Sequence, residues 1–234
     1  MTATQPLRPA TRGLRLAVAA VTCLTVSLGL AQTKSKDAKS GRPQPATVAA
    51  PTPPPVDYAP RFAQTCAACH GADGRGVPNL GPVLAGQPSF YAITQLFLFR
   101  AGRRGNEAMS AIAKNFTDDD LRGYSDLIGK LPALPTATTA PSTEPVDAAR
   151  LAQGRLLAQK HHCLSCHGET LTGGPQIPRL AGQQQDYLAR ALKEFRAGTR
   201  LGYTSAMNEA LAGLKPEELD TLAYYLARHT GTAQ

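Results

Sequence analysis

Cys66-Ala67-Ala68-Cys69-His70-Gly71 returns later in the chain as Cys163-Leu164-Ser165-Cys166-His167-Gly168, and this doubled stretch decides the reading of the fold. The segments downstream of each copy are doubled too. Leu84-Ala85-Gly86-Gln87 matches Leu180-Ala181-Gly182-Gln183, Phe99-Arg100-Ala101-Gly102 matches Phe195-Arg196-Ala197-Gly198, and Ala108-Met109 matches Ala206-Met207. The chain is therefore a tandem duplication, each unit opening on a Cys-x-x-Cys-His pentad and reaching a methionine some forty residues later.

The periodicity is helical throughout. Residues 89–101 and 117–131 read as amphipathic helices, the second with Thr117 as N-cap and Leu121, Tyr124, Ile128 and Leu131 in one row. In the second unit Asp147 caps a helix running to about residue 162. Residues 184–197 present Leu188, Leu192 and Phe195 on one face and stop at Gly198. Pro216 suits the first turn of a last helix with Leu219, Leu222 and Leu226 inward. No alternating pattern suggests a strand, so the expected class is all-α and bilobal. Two units of residues 58–134 and 147–234 are joined by a Pro-rich linker, 135–146.

The pentad is the attachment motif of haem c. Its two thiols add to the vinyl groups of one ring edge as thioethers, and the histidine next in sequence lies beneath the iron as proximal ligand. Cys66, Cys69, Cys163 and Cys166 are thus the expected covalent anchors of two haems, with His70 and His167 on the two irons. A redox Cys-x-x-Cys of thioredoxin type would sit in a βαβ pattern, which is absent. A tetrahedral zinc site would not take two copies of one pentad.

A low-spin electron-transfer haem needs a second axial ligand. Met1 aside, Met109 and Met207 are the chain's methionines, one per unit at matching places, and a neutral thioether favours ferrous iron. They are the expected sixth ligands. His161 and His162 compete less well, since they sit just before Cys163 at the solvated end of a helix, and His229 reads as a surface residue complementing a helix C-terminus. Pro82 and Pro178 each precede a Leu-Ala-Gly-Gln segment. Their carbonyls are expected to take the proximal imidazole's other N–H, fixing the ring and raising its basicity.

Composition narrows the function. The 234 residues carry 25 Lys+Arg against 17 Asp+Glu, a formal charge of +8. The excess lies mainly in the N-terminal stretch, because residues 58–134 hold eight bases and six acids and residues 135–234 ten bases and nine acids. A nucleic-acid-binding body would carry its own basic face, so no nucleic-acid partner is expected. There is no Trp, with 7 Tyr and 6 Phe, a thin aromatic supply for two cores unless something else fills them.

Arg8, Arg12 and Arg15 precede an apolar run over residues 16–30, and Gly29-Leu30-Ala31 offers a peptidase site. Residues 1–31 read as a secretory signal, expected to be cleaved before Gln32, with an uncleaved anchor through residues 14–31 as the rival. Cys23 is a bystander within this segment. Residues 32–57, polar and then proline-rich, cannot bury a core and form a tether.

Residues 58–234 resemble class I cytochrome c, and their duplication resembles the dihaem cytochrome c4 family of bacterial periplasms. The resemblance rests on both pentads, both Leu-Ala-Gly-Gln and Phe-Arg-Ala-Gly segments, Met109 and Met207. It implies two tandem class I cytochrome c domains, each built around a covalent haem and facing the other across a pseudo-twofold interface. It also implies a periplasmic, non-enzymatic carrier of single electrons between respiratory redox partners such as a terminal oxidase, a quinol-oxidising complex or a dehydrogenase. A cytochrome subunit of a membrane-associated dehydrogenase complex is the alternative. The long tether and the proline-rich linker depart from the family pattern.

Overall fold

A computed structural model describes residues 56–133, 145–200 and 205–232. The signal or anchor, nearly all of the tether and most of the 135–146 linker lie outside the described residues. Ten helices occur among those described: α1 (Tyr58–Thr65), α2 (Ala67–His70), α3 (Ser89–Arg100), α4 (Glu107–Ala113), α5 (Asp118–Lys130), α6 (Ala148–Lys160), α7 (Cys163–His167), α8 (Gln185–Arg196), α9 (Ala206–Leu211) and α10 (Pro216–Arg228). The described residues form no strand, only an isolated bridge between Val77 and Gly81.

Side-chain caps open two of the long helices, α5 and α6, whereas α3 and α8 begin without one. Thr117 takes the Asp120 amide on its side chain while the Asp120 carboxylate reaches back to Thr117, so two of the orphan N–H groups at the start of α5 are satisfied. Asp147 accepts from the Arg150 amide at the head of α6. Gly198, at φ +68, ends the turn after α8 in the left-handed region open to glycine. The short helices carry no comparable signal in the sequence. A seven-residue α4 and a six-residue α9 offer too few turns for a periodic pattern, although Asn106 capping the Met109 amide marks the start of α4.

Helix packing divides the molecule. Helix α5 packs on α3 and α1, and α4 packs on α3; in the second half α10 packs on α6 and α8, and α9 on α8. Phe62, Leu96, Leu121, Tyr124 and Ile128 centre the first core, and Leu188, Leu211, Leu219, Leu222 and Leu226 lie within the second. Each such side chain contributes about 1.5–3 kcal/mol by leaving water.

Each half closes on a glycine–tyrosine contact, with the roles exchanged. In the first half Gly123 of α5 receives the ring of Tyr58 from α1, so close that a Cβ there would lie 1.9 Å from a ring carbon. In the second, Gly154 sits on the opening helix α6 and Tyr225 on the closing helix α10, and a Cβ at Gly154 would lie 2.4 Å from that of Tyr225.

One expectation fails. His229 is 2% exposed, not a surface residue. Its ring meets Tyr225 edge-on at 5.7 Å, its Nδ1 accepts from the Gly231 amide, and burial lowers its pKa. It packs inward against Tyr225 instead of facing solvent at the helix end, and the neighbouring Arg179 and Arg155 cations lower its pKa further.

Candidate haem sites

The pentads lie on the short helices α2 and α7. In each, the first cysteine is half-buried and the second exposed, and no disulfide joins the pair. Burial pushes the Cys66 thiol up to about 11 and raises that of Cys163 as well. Neither environment favours a thiolate, as that of a redox dithiol would. Among the described residues no three His, Cys, Asp or Glu side chains gather to hold a bare metal ion.

Each pentad ends in a buried histidine. The Nδ1 of His70 lies 2.9 Å from the Pro82 carbonyl and that of His167 3.0 Å from the Pro178 carbonyl. A carbonyl oxygen can only accept, so Nδ1 carries the proton and Nε2 keeps its lone pair for a metal. Burial lowers both pKa values, against an opposing pull from the proline carbonyls; for His70 the Arg104 cation lowers it further. Both rings are held neutral, as a ligand must be.

The loop beneath His70 fits because residue 81 is glycine. A Cβ there would stand 2.5 Å from the Cys69 carbonyl oxygen and 3.1 Å from His70 Nδ1. The second half has Ile177 at this place, while the glycine that both halves share is the one facing the loop from the other side: a Cβ on Gly76 would lie 2.7 Å from the Gly81 oxygen and one on Gly173 2.2 Å from the Ile177 oxygen. Met109, on α4, and Met207, on α9, are half-buried and pack against the first and second cores. His161 closes α6, and His162 is exposed with φ +54.

Sequence reasoning missed how the halves meet. Gln87 and Gln183, the last residues of the two Leu-Ala-Gly-Gln segments, are buried, and each bonds the other half. Gln183 accepts from the Val83 amide at 2.8 Å and donates to the Val83 carbonyl at 2.9 Å; Gln87 does the same to Arg179, at 3.1 and 2.9 Å. Beside them Tyr91, Arg104, Tyr187 and Arg200 form a second repeated set. The Tyr187 hydroxyl accepts from Arg104 at 2.9 Å and Arg200 at 3.1 Å. Burial would raise its pKa, but the two guanidiniums prevail and hold it below the ordinary tyrosine value. The repetition of Gln, Tyr and Arg was visible in the sequence, yet nothing local shows that they reach across to the other copy.

The residues present fit a haem in each half. Two thiols, a buried imidazole with a free Nε2 and a thioether are the donor set that covalent attachment and iron ligation call for. The acidic edge of the group is matched as well. Arg104 and Arg200 are 9% and 7% exposed, Arg104 has no carboxylate partner among the described residues, and the buried Arg200 Nε and Gln95 Nε2 lack any hydrogen-bond partner. Buried unmatched donors are costly, and propionate groups would satisfy them.

Comparison with known proteins agrees with this chemistry. Residues 151–230 match the family model for cytochrome c, and residues 56–126 that for cytochrome c oxidase, cbb3-type, subunit III. The chain is 34% identical over 170 residues to the thiosulfate dehydrogenase electron acceptor of Stutzerimonas stutzeri, covering 70% of this chain and 79% of that one. It is 30% identical to cytochrome c4 of Pseudomonas aeruginosa, covering 70% and 83%. Among solved structures, reduced cytochrome c4 from Pseudomonas stutzeri superposes with a TM-score of 0.62 at 27% identity, covering 72% of this chain and 95% of that one. The thiosulfate dehydrogenase of Marichromatium purpuratum matches with a TM-score of 0.64 at 34% identity. It covers 74% of this chain, which spans only 40% of that enzyme.

Proposed function

We propose, for a chain that belongs to the family of dihaem c-type cytochromes that includes cytochrome c4, that its two irons are each held by a His/Met pair and take electrons from a sulfur-oxidising dehydrogenase. As a member of that family the chain carries two covalent haems and acts as a single-electron carrier between redox proteins. The assignment pairs His70 with Met109 and His167 with Met207; Cys66 and Cys69 anchor one haem, Cys163 and Cys166 the other.

The observation that carries the ligation is the buried imidazole at the end of each pentad, its Nδ1 bonded to a proline carbonyl so that Nε2 faces the other way. When bound, haem iron supplies the one-electron couple. The chain's part is to hold each ring in one orientation, exclude water with its apolar core, and present a soft thioether that favours the ferrous state. The likeness to electron acceptors of thiosulfate dehydrogenase in Stutzerimonas stutzeri and in Thiomonas intermedia, the latter at 37% identity, supports an enzyme of that class as donor. The likeness to cytochrome c4 supports onward transfer to a terminal oxidase or another respiratory acceptor.

Residues 58–134 and 147–234 are assigned as the two haem domains and 135–146 as their linker. Haem is attached covalently outside the cytoplasm, so residues 1–31 are assigned as the export signal, 32–57 as a tail or tether, and the working compartment as the periplasm. No helix among the described residues is long and apolar enough to cross a membrane.

Met207→Ala tests the ligation. The holoprotein should keep two haems per chain while the Met-to-iron charge-transfer absorption falls by about half, the affected haem drops in potential, and it opens to added ligands. An unchanged spectrum would remove Met207 from the iron and turn attention to His161 or His162. Stopped-flow mixing with thiosulfate-reduced dehydrogenase tests the donor, with slow or absent haem reduction counting against it.

A further inference from the structure

We infer that Gln183 and Gln87 are positioning residues acting crosswise, each tuning the haem of the opposite half through a single peptide group. The Pro82–Val83 peptide offers its carbonyl to His70 Nδ1–H at 2.9 Å and its N–H to Gln183 Oε1 at 2.8 Å. The Pro178–Arg179 peptide does the same with His167 at 3.0 Å and Gln87 Oε1 at 3.1 Å. Both relays thus run imidazole N–H, peptide, glutamine amide, and each crosses from one half to the other.

Hydrogen bonds in series polarise one another when shielded from water. Gln183 is 5% exposed and Gln87 7%. An acceptor on the peptide N–H draws electron density toward the carbonyl oxygen, which then takes the imidazole proton more strongly. A proximal histidine so held is a more basic ligand and favours ferric iron. The second bond of each glutamine, from Nε2 to the carbonyl of Val83 or Arg179, fixes which amide end faces the peptide N–H, so the acceptor cannot turn away. The first relay is the shorter at both of its bonds, even though Gln183 Oε1 also takes the Gln184 amide at 3.0 Å. The haem on His70 should therefore feel its relay more than the haem on His167.

The inference rests on His70 and His167 being the proximal ligands, and the test separates the two ideas. Gln183→Leu in the full-length holoprotein removes the acceptor while keeping the bulk. The expected result is two haems per chain with the Met-to-iron absorption intact. The reduction equilibrium of the His70 haem should shift about threefold toward the ferrous form, roughly 30 mV upward, and the His167 haem should not move. Gln87→Leu should raise the potential of the His167 haem in the same sense, by less, and leave the His70 haem unmoved. Potentials would be read haem by haem from the paramagnetically shifted methyl resonances, alongside the His Nδ1–H resonances, which should weaken in hydrogen bonding only across the interface.

A shift confined to the haem of the mutated half, an equal shift in both, or none at all would overturn the relay. Absence of hyperfine-shifted His70 and His167 ring resonances in the unmutated holoprotein would instead overturn the ligation. Should Gln183→Leu yield no holoprotein, amide exchange in the unmutated protein decides: the Val83 and Arg179 amides are expected among the slowest, and fast exchange at both refutes the relay.

Discussion

Replacing Gly81 with alanine should damage the first haem site from beneath. The new methyl would lie 2.5 Å from the Cys69 carbonyl oxygen and 3.1 Å from His70 Nδ1, roughly 1 Å inside comfortable contact at the nearer atom. Neither neighbour can swing aside, because one is helix backbone and the other a ring already bonded to Pro82. The loop is also stapled by reciprocal bonds between Val77 and Gly81, at 3.0 and 3.1 Å, so it must move as a body. Overpacking of this kind costs about 1–3 kcal/mol, and loosening the His70–Pro82 hydrogen bond adds about 0.5–1.5 kcal/mol. Together they give a loss of about 2–4 kcal/mol. Urea unfolding of the holoprotein, followed by haem absorption and far-ultraviolet dichroism, should show a midpoint lowered by on the order of 1–2 M. Gly105→Ala is the control, since a methyl there meets nothing within 4 Å, and should stay within about 0.5 kcal/mol of the parent. Equal behaviour of the two variants would refute the close-approach argument.

Thr117→Ala should cost about 1 kcal/mol by uncapping α5, measured by the same unfolding. It should also flatten the acid side of the stability profile. Burial pushes the Asp120 pKa up, but the Thr117 amide and hydroxyl, Tyr58 and Arg61 outweigh it and hold it below the ordinary value. Its contribution is therefore complete above the unfolded carboxylate pKa of about 3.9 and is lost as pH falls through the lower folded value. A variant that kept the full acid dependence would contradict this. Intact-mass analysis of protein purified from a haem-maturing host should give a chain starting at Gln32, whereas a mass retaining residues 1–31 in the membrane fraction would establish an anchor.

The long helices were legible because their signals are local. Thr117 with Asp120, Asp147, Gly198 and Pro216 mark ends, and the leucine rows mark faces. The pentads were legible for a chemical reason, since two thiols and an imidazole at that spacing answer one ring. The burial of His229 was not legible, because it depends on the tertiary packing around the end of α10. Nor was the pairing of Gln183 with Val83, a hundred residues away in the chain. Duplication made the glutamines conspicuous, but only the meeting of two surfaces gives them partners.

A chain that contains the same unit twice can fold with the wrong halves matched, a hazard of repeated domains. The exchanged Gly–Tyr contacts guard against it. Were α1 to settle on α10 instead of α5, the Tyr58 ring would meet Thr221 and Tyr225 on a helix that contains no glycine to receive it. Were α6 to settle on α5, Gly154 would face the notch at Gly123 with no ring to fill it. One mismatch is a collision and the other a hollow, so each opening helix has one closing helix that suits it. The two copies have diverged at the place where being alike would let them be confused.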